Sequence, residues 1–533
     1  AWWLAREPEP KGRTIHANGA DASHSLRRNP LLQVVLISTA LSGAASFAYE
    51  IIWIRMLSMA VGSTMHAFEL MLASFIAGIA LGGLWVRKRA DSTDAPLRLA
   101  GWMQVLMGVS ALLSLVVYAD AFSWVGWLIG ALAKSDGGYA LFNLGTAAIA
   151  IAIMLPAAFF AGTTLPLFTV ALLRAGLGER AIGRVYAWNT LGSIAGVVLT
   201  IHFLIPALGL KFALCMAALL DLSIGLVLLR WQATSRGAML RFGAAALISV
   251  GALMVATRTP FDLARMTSGV FRHGNAVSSP DSKVIFMRDG KTASISVTSH
   301  KSGAVVIATN GKPDAGLMMD ARGEPAADEP TMILAGALPL AMHSNPRRVG
   351  VIGFGSGLTT HTLLTDERLQ QVDTIEIESA MVEGAKAFGR RVHRAYEGPR
   401  SKIILDDAKS YFSAQQSKYD IIVSEPSNPW ISGVGALFSK EFYRQVPRHL
   451  NDDGLFVQWV HLYEIDEQLI GSIINSLVPE FEDYAIWLTN YSDVLIVAKT
   501  KGHIQEPDYA KISAGRIKND LDRLGIQSQE HLS

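Results

Sequence analysis

The chain has 533 residues, of which 50% are hydrophobic and only 17% are charged, and its net charge is +2. This length allows two to four domains of about 100–200 residues each, and the apolar excess excludes an ordinary soluble enzyme. The near-neutral charge gives no sign of a nucleic-acid-binding surface. The single cysteine, Cys215, excludes an intrachain disulfide and a cysteine-based metal cluster, and we expect no metal site.

Residues 1–30 form a polar segment rich in Gly, Asn, Ser and Pro, with Arg27 and Arg28 near its end. The segment is too polar to pack and too long for the basic region of a signal peptide, so it is predicted to be a flexible cytoplasmic tail. Because the chain begins with Ala1 rather than methionine, we also expect a fragment or a processed form.

Residues 31–257 are predicted to form a multi-pass transmembrane domain of seven to nine helices, because a helix needs about 20 apolar residues to cross a bilayer. Seven runs qualify or nearly qualify: 33–55, 66–86, 98–118, 142–165, 183–205, 211–230 and 240–256. Two stretches are ambiguous. Segment 121–133 is short for a span, and segment 142–173 is long enough for Pro156 and Pro166 to break it.

Small and ionisable residues occur within these apolar runs. The pairs Gly78/Gly82 and Gly192/Gly196 have the spacing that lets helix backbones approach closely, which is typical of plain helix packing. Placing an ionisable group inside a membrane costs free energy, so such groups are candidates for a transport or lipid-binding role. These groups are Glu50, His66, Glu69 and Asp221. The alternative is structural pairing, for instance of Glu50 with Arg55.

After residue 257 the composition becomes that of a globular domain. Segment 258–325 is predicted to be a linker with a small β-hairpin unit, formed by 283–299 and 303–309. In 326–533, strands and helices alternate, which predicts an α/β doubly wound, Rossmann-like domain of the class I S-adenosylmethionine type. The predicted strands are 348–353, 372–377, 402–405, 419–424 and 454–459, with helices 357–365, 379–390, 408–415 and 439–449 between them and a hairpin near 483–498.

The loop after the first of these strands is Gly353-Phe354-Gly355-Ser356-Gly357. Glycines let the backbone turn sharply and approach a ligand, and the following helix offers free N–H groups. The dinucleotide fingerprint would need a glycine where this chain has Leu358. The loop therefore favours a nucleoside without a pyrophosphate.

Acidic residues follow the next three strands. Glu376 ends the second strand, where a carboxylate can accept hydrogen bonds from both ribose hydroxyls. Asp406, Asp407 and Ala408 follow the third, where a carboxylate can accept the adenine amino group, and Glu425 follows the fourth. Together with the glycine loop, these residues predict a nucleoside site at one edge of the sheet.

The chain resembles the spermidine synthase family, specifically the members in which a multi-pass bundle precedes the synthase-like domain. The motifs that carry the resemblance are 48–55, 75–83 and 186–192 in the bundle and 310–312, 353–357, 376, 407–408, 425–430 and 437–443 beyond it. The resemblance implies that Glu376 holds the ribose, that Asp407 holds the adenine, and that Glu425 takes the place of the catalytic aspartate. It implies decarboxylated S-adenosylmethionine, or S-adenosylmethionine, as a co-substrate and no tightly bound cofactor.

Three departures from that family weaken the case for a polyamine substrate. Ser356 and Asn428 stand where soluble spermidine synthases carry aspartates, and the upstream Tyr-His-Glu element is replaced by a segment that begins at Asp328. A site for a dication has therefore lost negative charge.

The chemistry of aminopropyl transfer can be argued from the residues themselves. An alkylamine with a pKa near that of lysine, about 10.4, is protonated at neutral pH, so a carboxylate must hold it and accept its proton before it attacks the carbon next to a sulfonium. Glu425, beside Asp406 and Asp407, is the candidate catalytic residue. Its pKa is expected to be raised by like charges and burial.

Three functions follow. The first is a membrane-bound transferase resembling polyamine aminopropyltransferase. The second is an S-adenosylmethionine-dependent methyltransferase, favoured by the neutral Ser356, and the third is a non-catalytic sensor or transporter. The expected partners are the lipid bilayer and a small-molecule amine; no nucleic acid is expected, and a homo-oligomer remains open.

Two indications disagree on which side of the cell membrane the C-terminal domain lies. Basic loops are enriched on the cytoplasmic side, and the loops 87–89, 174–184 and 230–241 are basic, so seven spans would put the C-terminal domain outside. The nucleoside, however, is made in the cytoplasm. We therefore expect the C-terminal domain to face the cytoplasm.

Overall fold

The computed structural model describes residues 29–277, 279–320, 322–515 and 517–532. The predicted tail 1–30 therefore lies almost entirely outside the described residues. The described chain consists of a long helical bundle followed by two β-sheets with their helices.

Six helices in this part of the chain are long and apolar enough to cross a membrane. They are α1 (Pro30–Val61), α2 (Met65–Ser92), α3 (Pro96–Ala131), α4 (Asp136–Arg174), the 52-residue helix Arg180–Trp231, and α7 (Arg236–Arg258). Helix α1 shows how the local sequence begins such a helix. The Asn29 side chain accepts hydrogen bonds from the Leu31 and Leu32 N–H groups, and Pro30 occupies the first turn, where no N–H is needed.

The 52-residue helix joins two runs that were predicted to be separate spans. It comprises α5 (Arg180–Leu199), a π-helical turn (Thr200–Leu204) and α6 (Ile205–Trp231), and it is broken at Gly209, where φ is 73° and ψ is 167°. Val185 near its start and Leu228 near its end pack in the same apolar cluster, so the chain reverses between them. All seven predicted runs are thus helical.

The two ambiguous stretches are also resolved. Segment 121–133 is not a separate span, because 121–131 is the last part of α3. Helix α4 continues through both Pro156 and Pro166, so the prolines do not break it.

Small residues bring neighbouring helices of the bundle into close contact. A Cβ on Gly192 would lie 1.9 Å from the Ala40 carbonyl oxygen, and one on Gly82 would lie 1.9 Å from the Phe159 carbonyl oxygen. Both pairs of glycines therefore serve packing within the bundle.

Most of the ionisable groups in the bundle have a hydrogen-bond or ion-pair partner. The Tyr49 hydroxyl donates to the buried Asp221 carboxylate at 2.7 Å, and His66 lies 3.5 Å from Glu69. Arg55 does not pair with Glu50. Its guanidinium instead donates to two backbone carbonyls in the turn at 290–291, at 3.1 and 2.9 Å.

The two ends of the bundle differ in charge. The apolar cluster that contains Val185 and Leu228 also contains Leu36 and Ala90, so the basic loops 87–89, 174–184 and 230–241 lie at that end. The other end, where α1 passes into α2, contacts the C-terminal region. The basic loops thus lie at the end of the bundle away from the C-terminal region.

Two short helices, α8 (Leu263–Met266) and α9 (Val270–His273), lead from the bundle to a four-stranded antiparallel sheet. Its strands are β1 (Ser282–Asp289), β2 (Ser294–His300), β3 (Ala304–Thr309) and β4 (Lys312–Met318). The expected hairpin unit is therefore larger than predicted. Strand β4 was missed because Pro313 and Gly316 disrupt the strand pattern.

The second sheet has seven strands in the order β10-β11-β9-β8-β5-β6-β7. Five neighbouring strands, which run from β9 to the edge strand β7, are parallel: β5 (Arg348–Ile352), β6 (Gln371–Glu376), β7 (Ser401–Leu405), β8 (Tyr419–Ser424) and β9 (Leu450–His461). Strands β10 (Asp483–Asn490) and β11 (Asp493–Lys499) complete it as an antiparallel hairpin. The strand order reverses between β5 and β8, where Rossmann-like folds bind their ligands.

Helices cover both faces of this sheet, and two apolar clusters fill the spaces beneath them. The helices are α10 (Glu329–Met342), α11 (Leu358–Leu363), α12 (Ser379–Ala385), α13 (Ala408–Ala414), α14 (Lys440–Gln445), α15 (Glu467–Leu477) and α16 (Ile517–Arg523). The expected Rossmann-like mixed sheet is therefore present. The exact domain boundaries at 257/258 and 325/326 stay a prediction.

Candidate active site

The glycine loop 353–357 connects β5 to α11 at the carboxyl edge of the sheet. Gly353 has φ 94° and Gly357 has φ 83°, a backbone region that residues with a side chain rarely adopt. A Cβ on Gly353 would lie 2.8 Å from the Glu425 carbonyl oxygen, so glycine is also required by the close approach of the next loop. The third glycine, Gly355, has φ 49°.

Glu376, at the end of β6, is buried behind this loop. Its Oε2 accepts the Phe354 N–H at 2.9 Å, and its Oε1 accepts the Glu378 N–H at 2.8 Å. Burial raises the pKa of Glu376 to about 7, although the two backbone hydrogen bonds lower it in part. The carboxylate therefore fixes the shape of the glycine loop, and its remaining lone pairs can accept ribose hydroxyls.

Asp406 and Asp407 follow β7 at the same edge. Asp406 is exposed, while Asp407 is half-buried and caps α13 by accepting the Ser410 N–H at 2.8 Å. Ala408, the first residue of that helix, is buried beneath the loop. One oxygen of Asp407 thus caps the helix, and the other can accept a hydrogen bond from an exocyclic amino group.

Two apolar side chains that the sequence analysis missed flank these acids. Ile377 is 52% exposed and Leu405 is 59% exposed, and they lie directly beside the ends of paired strands β6 and β7. Exposed aliphatic side chains at a ligand edge can pack on the two faces of a planar base. The sequence does contain a signal for these two residues, because each is an apolar residue next to an acidic residue at the end of a strand.

Glu425, the predicted catalytic residue, follows β8 and is anchored by its N–H, which donates to the Ile352 carbonyl at 2.9 Å. Its Oε2 accepts the Thr359 hydroxyl at 2.9 Å. Loss of solvation raises the pKa of Glu425 to about 8, against the hydrogen bond from Thr359, which lowers it. A carboxyl group with this pKa can accept a proton near neutral pH.

Ser356 is the predicted site residue that the structure does not bring to the cleft. It is fully buried, its hydroxyl lies 3.2 Å from the Met332 sulfur, and it accepts the Leu358 N–H at 3.3 Å. The Ser356 side chain thus points away from the cleft, and a part in nucleoside binding stays a prediction. Without a charge to solvate, the side chain turns toward α10 instead.

A second set of polar residues comes from β4 and was not predicted. Lys312 is 3% exposed and donates to the Ser427 hydroxyl at 3.0 Å, and its amine lies 3.8 Å from Asp314. Burial lowers the pKa of Lys312, while Asp314 raises it in part. One oxygen of Asp314 is buried and has no hydrogen-bond partner among the described residues. This carboxylate can receive an ammonium group.

The loop 425–434 is held by the bundle. The Met65 N–H donates to the Trp430 carbonyl at 3.4 Å, and the Ser432 N–H donates to the Ser63 carbonyl at 2.9 Å. The Ser63 hydroxyl also accepts the Asn310 side-chain amide at 3.1 Å. The turn between α1 and α2 therefore forms part of the wall around the candidate site.

One group of side chains in the described residues could hold a metal ion: His343, Asp420 and Asp453 have donor atoms within 4.8 Å of one another. The group lies at the opposite edge of the sheet, and both oxygens of Asp420 already accept hydrogen bonds. It is separate from the candidate site. The absence of a metal requirement stays a prediction.

Residues 332–500, which include β5 to β11, match the spermine/spermidine synthase domain. The chain carries a spermine/spermidine synthase domain. The glycine loop, Glu376, Asp407 and Glu425 all lie within the matched residues of this synthase domain, whereas Lys312 and Asp314 precede them.

Similar proteins include two curated polyamine aminopropyltransferases. That of Caldicellulosiruptor saccharolyticus is 30% identical over 151 residues, which cover 28% of this chain and 54% of the relative. That of Methanocaldococcus jannaschii is 33% identical over 131 residues, which cover 24% of this chain and 44% of the relative. The chain thus spans about half the length of the curated relatives that it matches.

A crystal structure of spermidine synthase from Thermotoga maritima aligns with 46% of this chain and 88% of its own, at 16% sequence identity and a TM-score of 0.36.

Proposed function

We propose that this protein is a membrane-embedded transferase that moves an aminopropyl group from decarboxylated S-adenosylmethionine to an amine. The single observation that supports it most is the set of groups at the carboxyl edge of the synthase domain: the glycine loop, Glu376, Asp407 and Glu425. The curated relatives that match this domain are named polyamine aminopropyltransferases. The proposal requires no tightly bound cofactor.

Each of these groups has a role in the proposed reaction. Glu376 accepts the ribose hydroxyls, and Asp407 accepts the adenine amino group while Ile377 and Leu405 pack on the base. Asp314 receives the aminopropyl ammonium. It takes the role of the aspartate that soluble spermidine synthases carry at the position of Ser356. Its unpartnered oxygen supports this role.

Glu425 accepts the proton of the incoming amine in this proposal. The amine nitrogen then attacks the propyl carbon next to the sulfonium, the carbon–sulfur bond breaks, and methylthioadenosine leaves with the electron pair. The carboxyl group is suited to this step because its pKa of about 8 lies close to neutral pH.

We further propose that the helical bundle lies in a lipid bilayer. Six helices have the length and apolar composition to span one, and many large apolar side chains on their surfaces are exposed. Examples are Leu84, Trp127, Leu144, Leu240 and Leu247. A hydrocarbon environment would cover these side chains.

A methyltransferase that uses intact S-adenosylmethionine is the second candidate. Lys312 favours it, because a buried ammonium group beside the site could pair with the methionine carboxylate that decarboxylation removes. The neutral Ser356 is compatible with the same donor.

Product identification tests these candidates. The full chain, purified in lipid nanodiscs, is incubated with either donor and a panel of amines. Release of methylthioadenosine from the decarboxylated donor supports aminopropyl transfer, and release of S-adenosylhomocysteine from the intact donor supports methyl transfer. Nucleoside binding without either product would support a sensor or transporter and exclude both reactions.

A further inference from the structure

A cavity of about 240 Å³ lies where the bundle meets the synthase domain. Val61 and Ala67 line it from the junction of α1 and α2, and Phe142 lines it from α4. Trp430 and Glu464 line it from the synthase domain. Residues from both parts of the molecule therefore form one enclosure.

The two sides of the cavity differ in polarity. The bundle side carries uncharged side chains, both apolar and polar, whereas the other side carries Arg272 and Glu464, whose side chains form an ion pair at 2.9 Å. The pair is only partly buried, with the two side chains 25% and 37% exposed, so a charged ligand can replace either partner. The cavity thus offers a cation and an anion beside a wall of uncharged side chains.

If the bundle lies in a bilayer as proposed, the cavity at the end of α1 would lie near the headgroup level. Helix α1 has 32 residues and is therefore about 48 Å long, whereas the hydrocarbon core is about 30 Å thick. Val61 is the last residue of that helix, and Tyr139 and Phe142 supply aromatic rings of the kind enriched at membrane interfaces.

The cavity is connected to the proton acceptor through two segments. Trp430 belongs to the loop that begins with Glu425. Tyr463, the neighbour of Glu464, lies between Arg272 and Lys312, with its ring centre 5.6 and 5.9 Å from their charged groups. Lys312 in turn donates to Ser427 in the loop that begins with Glu425, so a chain of side-chain contacts leads from the cavity lining to that loop.

We propose that this cavity binds the headgroup of a membrane lipid that carries a primary amine, and that this lipid is the amine acceptor. The lipid phosphate pairs with Arg272, the ammonium group pairs with Glu464, and the acyl chains lie against the bundle. The inference rests on the proposed function and specifies its acceptor. In the reaction, the ammonium group moves from Glu464 to Glu425, which takes its proton; the neutral nitrogen then forms a bond to the propyl carbon as the carbon–sulfur bond breaks, and methylthioadenosine leaves with the sulfur electron pair.

The test uses the full chain in nanodiscs and decarboxylated S-adenosylmethionine labelled in its propyl carbons. Discs of phosphatidylethanolamine are compared with discs of phosphatidylcholine, whose quaternary nitrogen cannot accept the group. We expect methylthioadenosine release and label in the lipid fraction only with phosphatidylethanolamine. Absence of labelled lipid there would overturn the inference.

A soluble amine separates failure of this inference from failure of the proposed function. In phosphatidylcholine discs, 1,4-diaminobutane is offered as the acceptor. If this amine gives turnover, but phosphatidylethanolamine discs give no labelled lipid, the lipid acceptor is rejected and aminopropyl transfer is retained. If neither amine gives turnover and calorimetry detects no methylthioadenosine binding, both proposals fail.

Matched variants on one helix test the cavity itself. Asn143→Trp fills the cavity, whereas Leu144→Trp adds the same ring on a side chain that is 67% exposed. We expect the first to lower lipid labelling about tenfold or more, as filling a binding space should, while methylthioadenosine affinity stays unchanged. Leu144→Trp should label lipid normally. Equal labelling by the two variants would contradict a lipid site in this cavity.

Discussion

At the scale of single residues, the main prediction concerns Glu425. Glu425→Gln should retain nucleoside binding and lose about 10²–10⁴-fold in turnover, because glutamine keeps the size of the side chain but cannot take a proton. In the unsubstituted protein, kcat/KM should rise with pH through about 8, since the base form of Glu425 becomes the major form only above its pKa. Methylthioadenosine release across the pH range measures both effects.

Thr359 provides the control for this assignment. Thr359→Val removes the hydrogen bond that lowers the Glu425 pKa, so the pH midpoint of kcat/KM should move upward. A purely structural role for Glu425 would instead lower the melting temperature of Glu425→Gln and leave the pH midpoint in place. Near-normal turnover in the glutamine variant would remove Glu425 from the mechanism.

A second prediction at this scale concerns Asp407. Asp407→Ala should weaken methylthioadenosine binding by about 1–3 kcal/mol, the usual cost of losing a buried hydrogen-bond partner. Because Asp407 also caps α13, Asp407→Ser is the better variant: serine can cap the helix but is too short to reach the base. Calorimetry should show weakened binding in both variants, and a serine variant with full affinity would assign Asp407 to capping alone.

At the scale of secondary-structure elements, close helix contacts predict the stability of the bundle. Gly192→Ala should lower the free energy of unfolding by about 1–3 kcal/mol, because the new Cβ would lie 1.9 Å from the Ala40 carbonyl oxygen. Gly183→Ala is the matched control on the same helix, since nothing lies within 4 Å of its Cβ position. Melting curves in detergent should separate the two variants, and equal curves would contradict the close α1–α5 contact.

At the scale of the whole molecule, the turn between α1 and α2 contacts the loop 425–434 of the candidate site. Residues 258–533 expressed alone should bind methylthioadenosine, because Glu376 and Asp407 lie within that part. The same fragment should lose most turnover, because Ser63 and Met65 no longer hold the loop 425–434. Calorimetry and product release measured on the fragment and the full chain test this. Full turnover by the fragment would show that the bundle is not needed.

The side of the membrane is a further prediction at this scale. The proposed reaction uses a cytoplasmic nucleoside, so the synthase domain should face the cytoplasm. The basic loops lie at the opposite end of the bundle, so this location would depart from the usual enrichment of basic loops in the cytoplasm. A reporter fused at Pro260 measures it. Activity of a reporter that works only outside the cytoplasm would rule out the proposed donor.

The sequence by itself determined the elements whose signals are local. Apolar runs of about 20 residues predicted every long helix, and the alternation of strands and helices predicted the parallel part of the sheet. The positions of Glu376, Asp407 and Glu425 could also be predicted, because parallel strands bring their carboxyl ends to one edge.

Only the tertiary structure decided which side chains lie at the candidate site and how the two parts of the chain meet. The burial of Ser356 against Met332, the contact of Asp314 on β4 with Ser427, and the contact between Ser63 and the loop 425–434 each depend on residues that are not neighbours in sequence. Likewise, Arg55 binds a turn more than 200 residues away instead of the nearby Glu50. Such contacts follow from packing and solvation in three dimensions, which no local sequence pattern records.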